Sequence, residues 1–243
     1  MENKNVITSK SNSIYKEFLK YKHGDKDNCL FLAEGEDLFQ EADKNNCIVY
    51  VAILDKSNFN TKGYKCFRFN NELYRTLSCY QSLPKVICLC KKNLKENVGD
   101  RVIYLDGIQD PGNFGTILRT ALSFNYTGVV YSPDCVSLFN SKVIQASKGA
   151  IFHLPIWKED LKYYKEKGYN IYITTLDGED EKKIEELKTP FVLAFGNEGH
   201  GIREENLNLG KKLKIEMSSI DSLNVAVSSG IFMYRFQKKG DKK

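Results

Sequence analysis

Along this chain, short apolar runs alternate with segments in which apolar residues recur every three or four positions, the pattern of strands separated by amphipathic helices. SIYKEFLKY, within 12–21, places Ile14, Phe18 and Tyr21 on one side of a predicted helix. The strand CLFLAEG follows, then the helix EDLFQEA, the strand IVYVAIL, a short strand around Cys66, a helix near Asn70 to Thr76 and the strand KVICLC, in which Cys88 and Cys90 share a buried face. This alternation predicts a compact α/β module.

The polar stretch KKNLKENVGD interrupts the pattern, which places a domain boundary near Asn97 and divides the chain into 1–96 and 97–243. Beyond it, RVIYLD, TGVVYS, NIYITTL, PFVLAF and KLKIEM are short, rich in β-branched and aromatic residues, and separated by helical stretches. The second part therefore reads as a mainly parallel, doubly wound sheet, whose chemistry should lie in loops at the carboxyl ends of the strands.

Composition narrows the class without deciding it. The 243 residues are 42% hydrophobic and 28% charged, which supports a packed core rather than a disordered chain. The amino-terminal string has no apolar run of signal-peptide character, and no segment approaches a membrane span, so a cytoplasmic protein without a membrane partner is expected. Seven cysteines at scattered spacings, with no CxxC pair and three histidines, read as free thiols; no metal site is expected. A net charge of +5 is compatible with nucleic acid but does not require it, and the lysine-rich end reads as a solvated tail.

Three strings carry candidate chemistry. DGIQDPGNFGTILRTALSF passes from a strand end through a Pro-Gly turn into a helix expected to begin near Phe114. Asn113 reads there as a cap, and Arg119 lies a little over one turn inside the helix, where a guanidinium suits phosphate oxygens. FVLAFGNEGHGI is an apolar strand ending in a loop with Gly196, Gly199 and Gly201, which lacks the spacing of either common phosphate-binding loop. KIEMSSIDSLNVAVSSGIFMY joins a strand to an apolar helix that reads as buried, with Ser222 as the natural N-cap.

In this order and content the three strings resemble the SpoU, or TrmH-like, RNA 2′-O-ribose methyltransferases of the SPOUT superfamily. Asn113, Gly115 and Arg119 match N-x-G-x-x-x-R; Gly196, Glu198 and Gly201 match G-x-E-x-x-G; Ser222, Leu223 and Asn224 match the S-L-N that precedes the last helix. ITSKSNSIYKEF and FLAEGEDL are similar to the RNA substrate-binding module that precedes the catalytic domain in many members.

The resemblance implies a trefoil knot in the second domain, S-adenosylmethionine as cofactor, and a homodimer with catalytic residues drawn from both subunits. It gives Arg119 the ribose 2′-hydroxyl, Asn113 the local geometry, and Glu198, Ser222 and Asn224 the support of substrate and loop. Ala194, Phe195, Gly196, Ile215, Met217 and Leu223 are the expected cofactor contacts. Ribosomal RNA is the expected substrate, with transfer RNA, or an RNA-binding relative that has lost methyl transfer, as alternatives. The chain departs from the family pattern at Glu216, where I-P-M reads Ile215-Glu216-Met217, in a turn before Ser222 that is one residue short, and at Gln145, where many relatives carry arginine.

Overall fold

The computed structural model describes residues 6–24, 30–92, 97, 99–219 and 222–238. Cys29, residues 93–96 and 98 of the expected linker, residues 220 and 221 of the shortened turn, and the tail from 239 onward lie outside the described residues.

The chain divides into two compact units, Met1–Asn93 with Ser137–Phe152, and Leu94–Val136 with His153–Lys243. In the first, β1 (Val6–Ile7), α1 (Ser13–Lys20), β2 (Leu30–Glu34), α2 (Glu36–Lys44), β3 (Ile48–Leu54), β4 (Cys66–Phe69), α3 (Asn71–Leu77) and β5 (Ile87–Lys91) build a mixed sheet in the order β1-β4-β3-β5-β2. β5 lies between β3 and β2, antiparallel to both, so Ile87 through Cys90 are buried on both faces. On α1 and at its C-cap, Tyr15, Phe18 and Tyr21 face the core, while Ile14 is only partly buried, a small rotation from the expected face. The later segment belongs to this unit because Phe139 and Phe152 stack on Phe31, with ring centroids 5.1 and 5.8 Å away.

The second unit begins with β6 (Arg101–Asp106), α4 (Pro111–Ser123) and β7 (Gly128–Tyr131). After α5 (Ser141–Ala146) and α6 (Ala150–His153) come β8 (Ile156–Lys158), α7 (Leu161–Glu166), β9 (Asn170–Asp180), β10 (Phe191–Gly196), β11 (Lys211–Lys214) and α8 (Val225–Arg235). The strand order is β11-β9-β10-β6-β7-β8, and every pairing is parallel. Both faces of the central strands are covered, which is why RVIYLD and PFVLAF are continuous apolar runs rather than alternating ones. Val102, Tyr104, Val192 and Ala194 pack with Leu161 and Tyr164 of α7 on one face; on the other, Phe195 meets Phe232 of α8 at 6.0 Å.

This order sets the position of the site. The connection leaving β6 runs to β7 on one side, and the connection leaving β10 runs past β9 to β11 on the other. The adjacent strands β6 and β10 therefore flank a switch point, where the two outgoing loops separate and leave a crevice. Their register places Gly196 beside Asp106, so both loops leave from the same edge.

Three local expectations are corrected. α4 starts at Pro111, before Phe114, because proline suits the first helical position and Asp110 caps it, accepting from Asn113 N at 2.7 Å. Asn113 is thus inside the first turn and its side chain is released from capping. α8 is capped by Asn224, whose Oδ1 accepts from Ala226 N and Val227 N at 2.9 and 3.3 Å, rather than by Ser222. Nor is α8 buried all round: Val227, Ile231 and Tyr234, at spacings of four and three, are exposed.

Among the described residues, no helix is long and apolar enough to cross a membrane, and no group of three His, Cys, Asp or Glu side chains could hold a metal ion.

Candidate functional site

At the switch point, the released Asn113 side chain becomes the centre of a hydrogen-bonded chain. Its Nδ2 donates to Glu198 Oε1 at 2.9 Å, and its Oδ1 accepts from Asn224 Nδ2 at 3.1 Å. A carboxylate only accepts, so the contact with Glu198 dictates which way the Asn113 amide is turned. One residue from each of the three sequence motifs is thereby joined in a single network. Asn224 serves two purposes with one amide, capping α8 through its oxygen and holding Asn113 through its nitrogen.

The loop carrying Glu198 is built to close on itself. Asn197 and Gly201 exchange backbone hydrogen bonds, both at 2.9 Å. A Cβ on Gly196 would lie 2.1 Å from the Gly201 carbonyl carbon, so glycine is required there by the loop's own return. Asn197 locks the loop further: Nδ2 donates to Gly107 O at 2.8 Å, and Oδ1 accepts from Gly199 N and His200 N at 2.8 and 3.1 Å.

Beneath this loop lies Asp106, fully buried at the end of β6. It accepts from Arg203 Nε at 2.5 Å, Arg203 N at 3.1 Å and Asn206 Nδ2 at 2.8 Å. The Arg203 guanidinium also reaches Asp134, Glu205 and the Tyr104 hydroxyl at 3.1–3.3 Å. Burial pulls the Arg203 pKa down, but hydrogen bonding and charge interaction with Asp106 more than reverse this, leaving it above the ordinary arginine value. The pair fastens the far end of the 197–206 segment to β6. Neither Asp106 nor Arg203 was singled out in the sequence, because an acidic strand end and a loop arginine 97 residues away carry no local sign of pairing.

Beside the network opens a cavity of about 550 Å³. Gly196, Ile215, Met217 and Leu223 line it, as do Glu198 and Ser222. Ala194 and Phe195 do not; both are fully buried in β10, and the Ala194 carbonyl accepts from Thr174 Oγ1 at 2.9 Å. The lining also includes Thr174 through Asp177, from the carboxyl half of β9, and Lys212 of β11, which sequence reasoning missed. The general rule that ligands sit beyond strand ends in a parallel sheet pointed to that loop but not to those residues.

Arg119 stands apart from this cluster. It is exposed on α4, with no side-chain hydrogen bond or ion pair to another described residue, and it shares its side of the helix with Leu122, three positions on. α4 packs along α8, where Phe124 meets Tyr234 at 5.7 Å.

Comparison with known proteins identifies the family. The chain is 29% identical over 222 residues to the 23S rRNA (guanosine(2553)-2′-O)-methyltransferase RlmP of Bacillus subtilis, covering 85% of this chain and 88% of that one. Its fold matches the crystal structure of AdoMet-bound rRNA methyltransferase from Sinorhizobium meliloti with a TM-score of 0.80 at 24% identity, over 95% and 96% of the two chains. It matches the SpoU methyltransferase AviRb from Streptomyces viridochromogenes, in complex with AdoMet, with a TM-score of 0.80 at 17% identity, over 92% and 96%. The model of the SpoU rRNA Methylase family matches residues 100–234, more than half of the chain, and the chain belongs to that family.

Proposed function

We propose that this protein methylates a ribose 2′-hydroxyl of ribosomal RNA, using S-adenosylmethionine. The observation that carries the reading is the Glu198–Asn113–Asn224 chain of hydrogen bonds beside the cavity at the β6/β10 switch point. Family membership and the similarity to a ribosomal-RNA 2′-O-methyltransferase along most of both chains support it.

The cavity suits the cofactor chemically. Ile215, Met217 and Leu223 offer apolar surface for a purine, and the close return at Gly196 leaves backbone rather than side chain at the lip. Thr175 and Asp177, hydrogen-bonded through their side chains, give the same cavity a polar edge. When bound, S-adenosylmethionine supplies an electrophilic methyl group on a sulfonium. The protein's task is then alignment: Asn113 fixes Glu198 and the entry to α8 relative to each other, so the walls of the site are held in place before the RNA arrives.

Arg119 is assigned to the RNA. A guanidinium stays protonated near neutral pH, so orienting the ribose and stabilising developing alkoxide charge is its role, rather than literal base catalysis. The exposed α8 stripe of Val227, Ile231 and Tyr234 supports a homodimer in which this surface is the interface, and Arg119, exposed and without a polar partner among the described residues, completes the partner copy's site. A trefoil knot in the carboxyl-terminal segment, an RNA-binding role for 1–96, and action in the cytoplasm belong to the same proposal.

The test is ribose-methylation mapping of total RNA from cells with and without the gene, paired with methyl transfer by the purified protein. Loss of one ribosomal 2′-O-methyl group is the expected result. Loss confined to a transfer RNA would move the substrate to the alternative, and RNA binding without methyl transfer would make the chain an inactive relative.

A further inference from the structure

Three adjacent parallel strands, β7, β6 and β10, end at Tyr131, Asp106 and Gly196, and the residue that follows each end joins a row of hydrogen bonds across the sheet. Gly107 is the middle member, buried and in the left-handed region at φ +70°, where the chain turns out of β6 towards Asn113. Its N–H donates to the fully buried Ser132 Oγ at 2.9 Å, and its carbonyl accepts from Asn197 Nδ2 at 2.8 Å. Both backbone polar groups of Gly107 are thus held by side chains from the neighbouring strand ends.

Asn197 does more than close its own turn. Its Oδ1 serves Gly199 N and His200 N, a local arrangement that an aspartate or a serine could also make. Only an amide adds a donor on the same side chain, and here that donor is directed at the loop leaving β6. The next residue, Glu198, bonds the far end of the same loop through Asn113 Nδ2. Residues 197 and 198 therefore grip residues 107–113 at both ends. Asn113 passes the constraint on to Asn224 at the start of α8. Without the rung at Gly107, the segment keeps one of the two attachments, and the place where Glu198 meets Asn113 is no longer fixed.

We propose that Asn197 is a positioning residue for methyl transfer, which acts through Glu198 by holding the loops that carry Glu198 and Asn113 in register. This rests on the methyltransferase reading above. Alignment of reacting groups is steep in distance: a misplacement of about 1 Å can cost on the order of a hundredfold in rate. A brace of this kind changes the chemical step and leaves ground-state binding in place.

The experiment uses the full-length protein in single-turnover methyl transfer from labelled S-adenosylmethionine to total RNA of cells lacking the gene, with calorimetric titration of S-adenosylhomocysteine alongside. Asn197→Asp keeps an oxygen for Gly199 N and His200 N but loses the donor to Gly107 O; Asn197→Ser keeps the local turn, falls short of Gly107 and adds no charge. Each should lower the maximal rate roughly ten- to a hundredfold, with the half-saturating RNA concentration and the affinity for S-adenosylhomocysteine little changed. In a Glu198→Ala background the same changes should cost almost nothing further, because the residue they act through is gone. Thermal melts of each variant report the fold. An undiminished rate in both variants, losses that multiply in the double variants, or losses that appear in binding and melting rather than in the rate would overturn the positioning role and leave the methyltransferase reading standing. A folded wild type that binds S-adenosylhomocysteine but methylates no RNA would remove both.

Discussion

Replacing Arg203 by leucine tests whether the Asp106 anchor holds the site. The change removes the cation facing a fully buried carboxylate but leaves Asp106 with two donors, Asn206 Nδ2 at 2.8 Å and the backbone N of residue 203 at 3.1 Å. Stripping one partner from a buried pair costs about 3–5 kcal/mol, because the other charge stays buried without compensation. The lower end applies here, since the Arg203 side chain is 30% exposed and, apart from the Tyr104 hydroxyl at 3.3 Å, its other contacts, to Asp134 and Glu205, are to well-exposed carboxylates that water can serve instead. A loss of about 3 kcal/mol corresponds to a fall of roughly 6–12 °C in the melting temperature of a unit of this size. Adding Asp106→Asn to Arg203→Leu should recover part of the loss, because the amide oxygen still accepts from Asn206 and no charge remains to be solvated. Calorimetric melts of wild type, both single variants and the double variant give the coupling directly, and hydrogen exchange at Gly199 and Gly201 reports on the loop. If Arg203→Leu melts within about a degree of wild type, or the double variant is no more stable than Arg203→Leu alone, the anchor is not an electrostatic one and the argument fails.

Three further outcomes are expected. Arg119→Lys keeps the charge but loses the planar fork, so methyl transfer in single turnover should fall by roughly a hundredfold or more with cofactor affinity nearly unchanged; near wild-type turnover would remove its assigned role. Ile231→Asp places a carboxylate in the exposed stripe of α8 and should convert a dimer into a folded monomer by light scattering, whereas a wild-type monomer at micromolar concentration would sink the interface. Gly196→Ala sets a methyl group against the Gly201 backbone and should abolish S-adenosylhomocysteine binding while far-ultraviolet circular dichroism changes little; retained binding would mean the loop can open at small cost.

How much of this was legible in the sequence depends on the distance over which each feature is decided. Strands β6 and β10 stood out because burial on both faces writes itself locally as an unbroken apolar run. β8, three residues long, does not, and neither does the attachment of 137–152 to the first unit, which is made by ring stacking on Phe31 more than a hundred residues earlier. The bulge in β9 was equally hidden: NIYITTL reads as an ordinary strand, and residues 174–178 leave the ladder because of where β11 resumes pairing. The cavity wall at Thr175 and Asp177 was invisible for that reason.

The capping errors show the same principle at single residues. Asp110 and Asn113 are both good cap formers, as are Ser222 and Asn224, and propensity alone cannot choose within either pair. The choice is made across the fold. Pro111 fixes the first helical residue and so gives the cap to Asp110, which frees the Asn113 amide. An amide offers both a donor and an acceptor, which a serine hydroxyl in the Ser222 position would supply from a single oxygen. Asn224 can therefore cap α8 and bind Asn113 at once, and Asn113 can bind Asn224 and Glu198 at once. Asn113, freed from capping, and Asn224, which keeps the cap of α8, thereby form one relay with Glu198.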